Sequence, residues 1–269
     1  MISTSRICSY IAITCGIIRE SAPRSRIPTS KHRQYPVILS KLSLSQLSEA
    51  AIRLVFPAVC SLCRKSLSLE EKALCQTCLC SFSRLTLSPK DAHWRKRTGS
   101  ICEGFSLYEY RDALKDFLAC FKFHHQPWLV KHLREPLSKF LLAVKLETRY
   151  DALAPIPMTL SRFVERHYNP AEILAQEIGR LSKIPVVPLL KKVRSTPAQH
   201  ALSGEERQTN LRGCFKVIKK RPLAGLRVLL IDDILTTGST AQEAGRVLKE
   251  AGVQYSGIMT LARTLETNP

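Results

Sequence analysis

Two adjacent acidic residues, Asp232 and Asp233, are followed by a turn of hydroxyl residues and glycine. The stretch reads VLLIDDILTTGSTAQEAG over residues 228–245. Its first apolar residues predict a buried strand, and the residues after the turn predict an amphipathic helix. The start of a helix offers unpaired N–H groups and a partial positive charge, which favour a phosphate group. Because two carboxylates would repel a bare phosphate, we expect a ligand that presents hydroxyls or a metal ion to the acids and a phosphate to the turn.

A ribose 5-phosphate carries its polar groups in this arrangement. The 2′- and 3′-hydroxyls can donate to carboxylates, while the phosphate accepts hydrogen bonds from the turn. The residues therefore predict a phosphoribosyl ligand. The turn residues expected to hold its phosphate are Thr236, Thr237, Gly238, Ser239 and Thr240.

Two Cys-x-x-Cys pairs, CSLC at 60–63 and CQTC at 75–78, predict a second kind of site. Each pair can direct two thiolates at one ion, and together they complete a tetrahedral Zn²⁺ site. In so short a segment the metal would supply most of the folding energy. A redox pair and unbound reduced thiols are the alternatives. The predicted zinc ligands are Cys60, Cys63, Cys75 and Cys78, with Cys80 as a spare thiol.

The elements that must position the aspartates alternate between strand and helix from residue 150 onward. RVLLI at 227–231 predicts a buried strand, and Ser239 is expected to cap the following helix with Gln242 in the reciprocal position. Residues 169–183 predict a helix that Asn169 caps. Such alternation indicates an α/β fold with a mostly parallel sheet, in which ligands lie at the carboxyl ends of the strands.

Helical periodicity also marks residues 108–147, where Pro127 separates two helices. The residues expected to share the buried face of the first helix are Leu114, Phe117, Leu118 and Phe121. For the second helix they are Leu133, Leu137, Phe140 and Leu141.

The composition of the chain limits the classes of protein that fit it. Among 269 residues, 41 Lys and Arg outnumber 22 Asp and Glu, for a net charge of +19. This excess favours polyanionic partners, although solvated basic faces would give the same count. The uneven placing of the cysteines argues against a secreted disulfide scaffold. No apolar run reaches membrane-spanning length.

Residues 1–45 are basic, rich in Ser and Pro, and without sustained periodicity. They predict a disordered leader of a cytoplasmic protein, and a start codon assigned too far upstream would give the same pattern. We expect a zinc-knuckle domain at 46–98 and the α/β domain at 99–269.

Residues 228–240 resemble, at every position, the signature of type I phosphoribosyltransferases. This resemblance implies a fold of that kind and a site for phosphoribosyl pyrophosphate (PRPP) with Mg²⁺. It also implies that Asp232 and Asp233 hold the ribose hydroxyls and that residues 236–240 hold the 5-phosphate. A mobile basic loop of this family closes over the pyrophosphate, a role that Arg194 and Arg207 could take, with Arg162 and Arg166 from an earlier segment.

The cysteine pairs and this signature together resemble the competence protein F (ComF) family, from about residue 60 to residue 263. Further landmarks are the KF of ACFKF with Lys122, the segment APIPMTLSRFVERHYN, and the run RSTPAQHALSGEERQTNLRGCF. One departure is His167, which stands where the family commonly has glycine. The family connection implies a role in DNA uptake, handling single-stranded DNA with a competence helicase.

Three functions follow as hypotheses. The first is a ComF-like protein that binds PRPP; if it catalyses, a nucleophile displaces pyrophosphate at C1 of the ribose, with Asp232, Asp233, Arg194 and Arg207 as the catalytic candidates. The second is a non-catalytic module that binds single-stranded DNA or senses a ligand. The third is a metabolic phosphoribosyltransferase that acts on a base. The sequence does not identify the acceptor or the oligomeric state.

Overall fold

The structure is a computed structural model that describes residues 52, 56–68, 70–71, 73–83, 86–95, 99–194, 211–218 and 222–265. These residues belong to one compact unit that spans Gln46–Pro269. The predicted leader, residues 1–45, lies outside the described residues, as does Arg207.

Strands and helices alternate along the described part of the chain, as expected. The strands are β1 (His93–Arg95), β2 (Glu103–Glu109), β3 (Ala152–Pro155), β4 (Leu190–Lys192), β5 (Phe215–Val217), β6 (Arg227–Leu235) and β7 (Tyr255–Arg263). The α-helices are α1 (Gln76–Ser83), α2 (Pro89–Ala92), α3 (Ala113–Phe123), α4 (Arg134–Val144), α5 (Leu160–Arg166), α6 (Pro170–Ser182) and α7 (Ser239–Glu250). Two 3₁₀ helices cover Pro127–Leu133 and Leu146–Thr148.

The main sheet has five strands in the order β1-β2-β7-β6-β3. Strands β2, β7, β6 and β3 run parallel, and β1 adds an antiparallel edge to β2. Strands β4 and β5 form a separate antiparallel pair. The expected mostly parallel sheet is therefore present, although the sequence did not predict β2.

The apolar run of β6 is continuous because both faces of this strand are buried. Leu229 and Ile231 belong to one hydrophobic cluster, with α3, α4 and α6, whereas Val228 and Leu230 belong to a second cluster, with α7 and β5. Since neighbouring residues of a strand point to opposite faces, both faces of this strand are covered, which is typical of parallel sheets.

The helix predicted for residues 169–183 begins as expected. Pro170 is its first residue, and the side chain of Asn169 accepts a hydrogen bond from the Ala171 amide at 3.1 Å. Proline suits this position because the first turn of a helix has no partner for its N–H groups.

The cap predicted for the helix after the aspartates was wrong. Gly238, not Ser239, is the residue before α7, and because it has no side chain it cannot cap the helix; the Ser239 amide donates to the Thr237 hydroxyl. The carbonyl oxygen of the Gln242 side chain instead accepts from the Ser100 amide at 2.8 Å. A contact between distant segments thus replaced a local capping pair.

The periodicity that predicted α3 and α4 is confirmed. In α3 the four expected side chains are buried, and in α4 Leu137 and Leu141 are buried while Phe140 is half-buried. Leu133, also expected on the second helix, is buried but is the last residue of the 3₁₀ helix that precedes α4. Pro127 begins the 3₁₀ helix between them.

The cysteine segment belongs to the hydrophobic cluster that contains Leu229 and Ile231. Cys60, Cys75 and Phe82 are buried in the same cluster as Phe117 and Phe121 of α3. Division of the unit at residue 98 into two domains stays a prediction. Among the described residues, no helix has the length and apolar character needed to cross a membrane.

Candidate functional site

The aspartate pair lies where β6 runs beyond its neighbour β3. Pairing between these strands ends at Pro155 and Ile231, whereas β7 accompanies β6 as far as Leu235. The strand is therefore longer than the predicted 227–231, and Asp232 and Asp233 occupy its extension rather than follow its end. Beyond Ile231, β3 no longer pairs with this edge of β6, and both aspartates lie in that part of the strand.

The turn after β6 has the backbone shape expected of a phosphate site. Gly238 has φ = +75°, a conformation that glycine adopts readily and other residues rarely do. The Thr237 hydroxyl lies 2.8 Å from the Ser239 hydroxyl and accepts a hydrogen bond from the Ser239 amide at 3.4 Å. The turn leads directly into α7, and the first amides of a helix have no carbonyl partner within the helix.

A pocket joins the turn to Asp232. It contains about 280 Å³ of empty space that opens to solvent, and its lining includes Asp232, all five turn residues and Ile258. The predicted phosphate-binding residues are thus brought together beside one of the two aspartates.

Lys122, at the end of α3, supplies a positive charge to this site. Its Nζ lies 2.9 Å from Oδ1 of Asp233, and the two side chains are only 15% and 14% exposed. The sequence identified Lys122 as a family landmark but assigned it no role. No local pattern could have paired residues that are more than a hundred positions apart.

Asp232 is held in an environment that opposes its ionisation. Burial and the neighbouring charge of Asp233 raise the pKa of Asp232 to about 7. The Asp233 amide, which donates to Asp232 Oδ1 at 2.8 Å, and the nearby Lys122 and Lys192 act in the opposite direction. Three groups therefore favour the charged form of Asp232, against the effects of burial and of the Asp233 charge.

Lys192, on β4, is a further cation that sequence reasoning missed. It is half-buried, its Nζ lies 5.7 Å from the centre of the Phe215 ring, and burial lowers its pKa. The charge of Arg162 lowers this pKa as well, whereas Asp232 raises it. Arg162 on α5 and Lys192 thus lie close enough to repel each other, an arrangement that an anion would relieve.

Arg166 lies at the end of α5, above the exposed ring of Phe123. Its guanidinium carbon is 4.4 Å from the ring centre, and its Nε is buried without a hydrogen-bond partner among the described residues. The next residue, His167, has φ = +63°, which explains why glycine would suit this position. The His167 ring lies 5.3 Å from that of His125.

Two hydrogen bonds of Arg194 reach the segment that leads into β5. Its Nη2 donates to the Arg212 carbonyl at 3.0 Å and lies 3.9 Å from Cys214 Sγ. The catalytic roles expected of Arg194 and Arg207 stay predictions.

The four predicted metal ligands form one cluster. Their sulfur atoms all lie within 4.8 Å of one another, with 3.8 Å between Cys60 and Cys78 and 3.5 Å between Cys63 and Cys75. Sulfurs at the corners of a Zn–S tetrahedron with bonds of about 2.3 Å are roughly 3.8 Å apart. The cluster therefore fits a structural Zn²⁺ ion, which four cysteines would enclose completely.

Backbone amides prepare one of these thiols for metal binding. Burial alone would raise the pKa of Cys60, but amides such as that of Cys75, 3.4 Å from its sulfur, lower it to about 6. A thiolate is the form that binds metal. Cys80 stands outside the four-cysteine group and accepts from Gln76 Nε2 at 3.5 Å.

Comparison with known proteins agrees with this geometry. A family model described as the phosphoribosyl transferase domain matches residues 168–268, which include the aspartates and the turn. Competence protein F of Haemophilus influenzae is 29% identical over 223 residues, which cover 76% of this chain and 96% of that protein. The chain is a homologue of competence protein F. The resemblance and the fold class expected from the sequence are thus confirmed.

Two further proteins extend the comparison. The DNA utilization protein YhgH of Salmonella typhimurium is 27% identical over 228 residues, covering 79% of this chain and 100% of that protein. Adenine phosphoribosyltransferase of Saccharomyces cerevisiae superposes with a TM-score of 0.36 at 14% identity, over 71% of this chain and 89% of that chain. At so low a TM-score the superposition adds nothing to the assignment.

Proposed function

We propose that this homologue of competence protein F binds PRPP with Mg²⁺ at the aspartate pair. The observation that supports this proposal most directly is that β6 carries two adjacent aspartates, and that the first of them, Asp232, lines a pocket whose other wall is the turn around Gly238. In the proposed complex the ribose hydroxyls donate to Asp232 and Asp233, and the 5-phosphate accepts from the turn and from the first amides of α7.

The cations around the aspartates support a ligand with more than one phosphate group. Lys122, Lys192 and Arg162 come from three different elements and outnumber the two carboxylates. Their excess charge favours the pyrophosphate of PRPP, and the carboxylate oxygens suit Mg²⁺, a hard cation that prefers oxygen ligands. Magnesium bound there would neutralise part of the phosphate charge.

The cysteine cluster is proposed to hold structural zinc. A bound ion would tie the two cysteine pairs together and so fix the segment between them. Reduced cysteines of this kind persist in the cytoplasm, where we place the protein.

The relatives' names extend the proposal to a biological role. One is called a competence protein and another a DNA utilization protein. We infer a function in DNA uptake during natural transformation, in which a competence helicase would be the partner that the family resemblance implies.

A second candidate function is the binding of single-stranded nucleic acid. The favouring observation is a pair of exposed aromatic rings, Phe123 and Phe163, which are 51% and 44% exposed beside Arg162 and Arg166. Bases stack on such rings while basic side chains contact the phosphates. Salt-dependent binding of a single strand that survives alanine at both aspartates would separate this activity from the phosphoribosyl site.

Catalysis would require an acceptor that displaces pyrophosphate from C1 of the ribose. A metabolic phosphoribosyltransferase would release pyrophosphate with one member of a panel of purine and pyrimidine bases. A binding protein would release none with any base, so this assay separates the two hypotheses.

The proposed site can be tested through the sugar hydroxyls. We expect ribose 5-phosphate to compete with PRPP at least about tenfold more strongly than 2-deoxyribose 5-phosphate, because the deoxy sugar leaves a carboxylate without its donor. Equal competition by the two sugars would contradict the assignment of the carboxylates to the hydroxyls.

A further inference from the structure

Helix α3 touches the cysteine cluster on one side and the aspartate site on the other. Cys120 Sγ donates to the carbonyl of Ser61, inside the first cysteine pair, at 3.5 Å. Lys122 Nζ lies 2.9 Å from Asp233 Oδ1. Cys120 and Lys122 are two residues apart, which corresponds to a rotation of about 200° around the helix axis. Their side chains therefore point in nearly opposite directions. The helix therefore lies between the two sites.

Aromatic packing attaches α3 to the cysteine segment. The rings of Phe82, at the end of the second cysteine pair's helix α1, and Phe117 of α3 meet edge to face with centres 5.2 Å apart. Both rings are buried, in the cluster that also contains Cys60 and Cys75. Loss of order in the cysteine segment would therefore remove support from the buried side of α3.

The end of α3 has a second attachment on the side of the phosphoribosyl site. The Tyr168 hydroxyl donates to the carbonyl of Phe121, next to Lys122. The position of Lys122 thus depends on one support from the cysteine segment and one from the segment after α5. Only the first of these would respond to metal.

The pair formed by Lys122 and Asp233 is shielded enough for its geometry to matter. Both side chains are mostly removed from solvent, and such charge-assisted hydrogen bonds are stronger than exposed ones. A shift of the ammonium by a few ångströms would leave Asp233 beside Asp232 without its nearest counter-charge.

We propose that Lys122 is a further residue of the phosphoribosyl site and that zinc at the four cysteines positions it through α3. Zinc occupancy then sets the affinity of the site for PRPP. In the free protein Lys122 neutralises Asp233. When the ribose hydroxyls take the carboxylate, the ammonium donates to the pyrophosphate. This inference rests on the proposed PRPP binding.

The test is a calorimetric titration with PRPP and Mg²⁺ of four zinc-loaded proteins: wild type, Lys122→Met, Lys122→Arg and Lys115→Met. Lys115 is the matched control, an exposed lysine on the same helix. We expect Lys122→Met to bind PRPP roughly 10- to 100-fold more weakly than wild type, because such a loss of affinity corresponds to the free energy of one hydrogen bond to a charged group. Lys122→Arg should recover part of this loss, and Lys115→Met should bind like wild type.

A second arm removes the zinc with a chelator that leaves Mg²⁺ in solution. Depletion should weaken PRPP binding by wild type and have no further effect in Lys122→Met, because the two changes act through one side chain. The dissociation constant of ribose 5-phosphate, which lacks the pyrophosphate, should be the same for Lys122→Met and wild type when this ligand is titrated directly. If Lys122 had a merely structural role, Lys122→Met would weaken the binding of PRPP and of ribose 5-phosphate equally.

The zinc-loaded Phe82→Leu variant provides the same test without metal removal, since it loosens the contact with α3 and keeps all four cysteines. It should weaken PRPP binding in the wild-type background but not in Lys122→Met. The inference is overturned if Lys122→Met binds within twofold of wild type, or if zinc depletion and Phe82→Leu leave affinity unchanged. Absence of binding by zinc-loaded wild type would overturn the proposed function, and the inference with it.

Discussion

Gly238→Ala tests the conformation of the proposed phosphate turn. Among the described residues, the one atom that an alanine Cβ at this position would meet beyond its chain neighbours is Leu235 Cδ1 at 3.7 Å, which is an ordinary contact. The cost therefore comes from the backbone, whose φ of +75° is unfavourable by about 1–2 kcal/mol for a residue with a side chain. For a unit of this size, that loss in the free energy of unfolding lowers Tm by about 2–8 °C.

Gly225→Ala is the matched control. Gly225 has φ = +80°, no atom of the described residues other than its chain neighbours lies within 4 Å of a Cβ built on it, and it is not among the residues that line the pocket. Thermal denaturation should show a similar decrease in Tm for both variants. Titration with PRPP and Mg²⁺ should separate them, because only the Gly238→Ala turn must move its amides away from the phosphate.

The expected result is a decrease in PRPP affinity of at least about tenfold for Gly238→Ala, corresponding to the loss of one charge-assisted hydrogen bond. Gly225→Ala should keep wild-type affinity. If both variants lose stability alike and Gly238→Ala still binds PRPP within twofold of wild type, the turn does not hold the phosphate in the way we describe.

Three other predictions concern the aspartates, the metal and the leader. Because the pKa of Asp232 is raised to about 7, from a usual value near 4, its ionisation opposes folding increasingly between about pH 4 and pH 7. Asp232→Asn should therefore raise Tm at pH 8 much more than at pH 4, without ligand or magnesium; an equal change at both values would contradict the assigned environment. Elemental analysis should find one zinc per chain, reduced in Cys60→Ser but not in Cys102→Ser, and wild type without stoichiometric zinc would refute the metal assignment. Deletion of residues 1–45 should leave zinc content and PRPP binding intact, because residues 46–269 form a compact unit; loss of folding would show that the leader is part of the structure.

The parts of the site that lie close together in the sequence could be predicted from it. The aspartates and the turn come from one strand–turn–helix segment, and the cysteines come in two short pairs. Each of these patterns specifies chemistry through local spacing alone. The periodicity of α3 and α6 was equally readable, because each helix buries one continuous stripe of apolar side chains.

What the sequence could not supply depends on contacts between distant segments. Lys122 and Lys192 reach the aspartates from α3 and β4, and nothing in their local sequence distinguishes them from surface lysines. Gln242 has the right spacing for a capping pair but bonds to the Ser100 amide instead. Strand β2 was missed because its pairing with β7 is formed by residues about 150 positions away.

The most direct test of the central claim is a calorimetric titration of the protein with PRPP and Mg²⁺, with the Asp232→Asn, Asp233→Asn double variant measured beside wild type. Asparagine preserves the size of each side chain and removes the charge, and removing the charge at Asp232 should also not impair folding. The structure predicts saturable binding by wild type and its loss in the folded double variant. Equal binding by both proteins, or no binding by wild type, would contradict the claim that this aspartate pair forms a phosphoribosyl site.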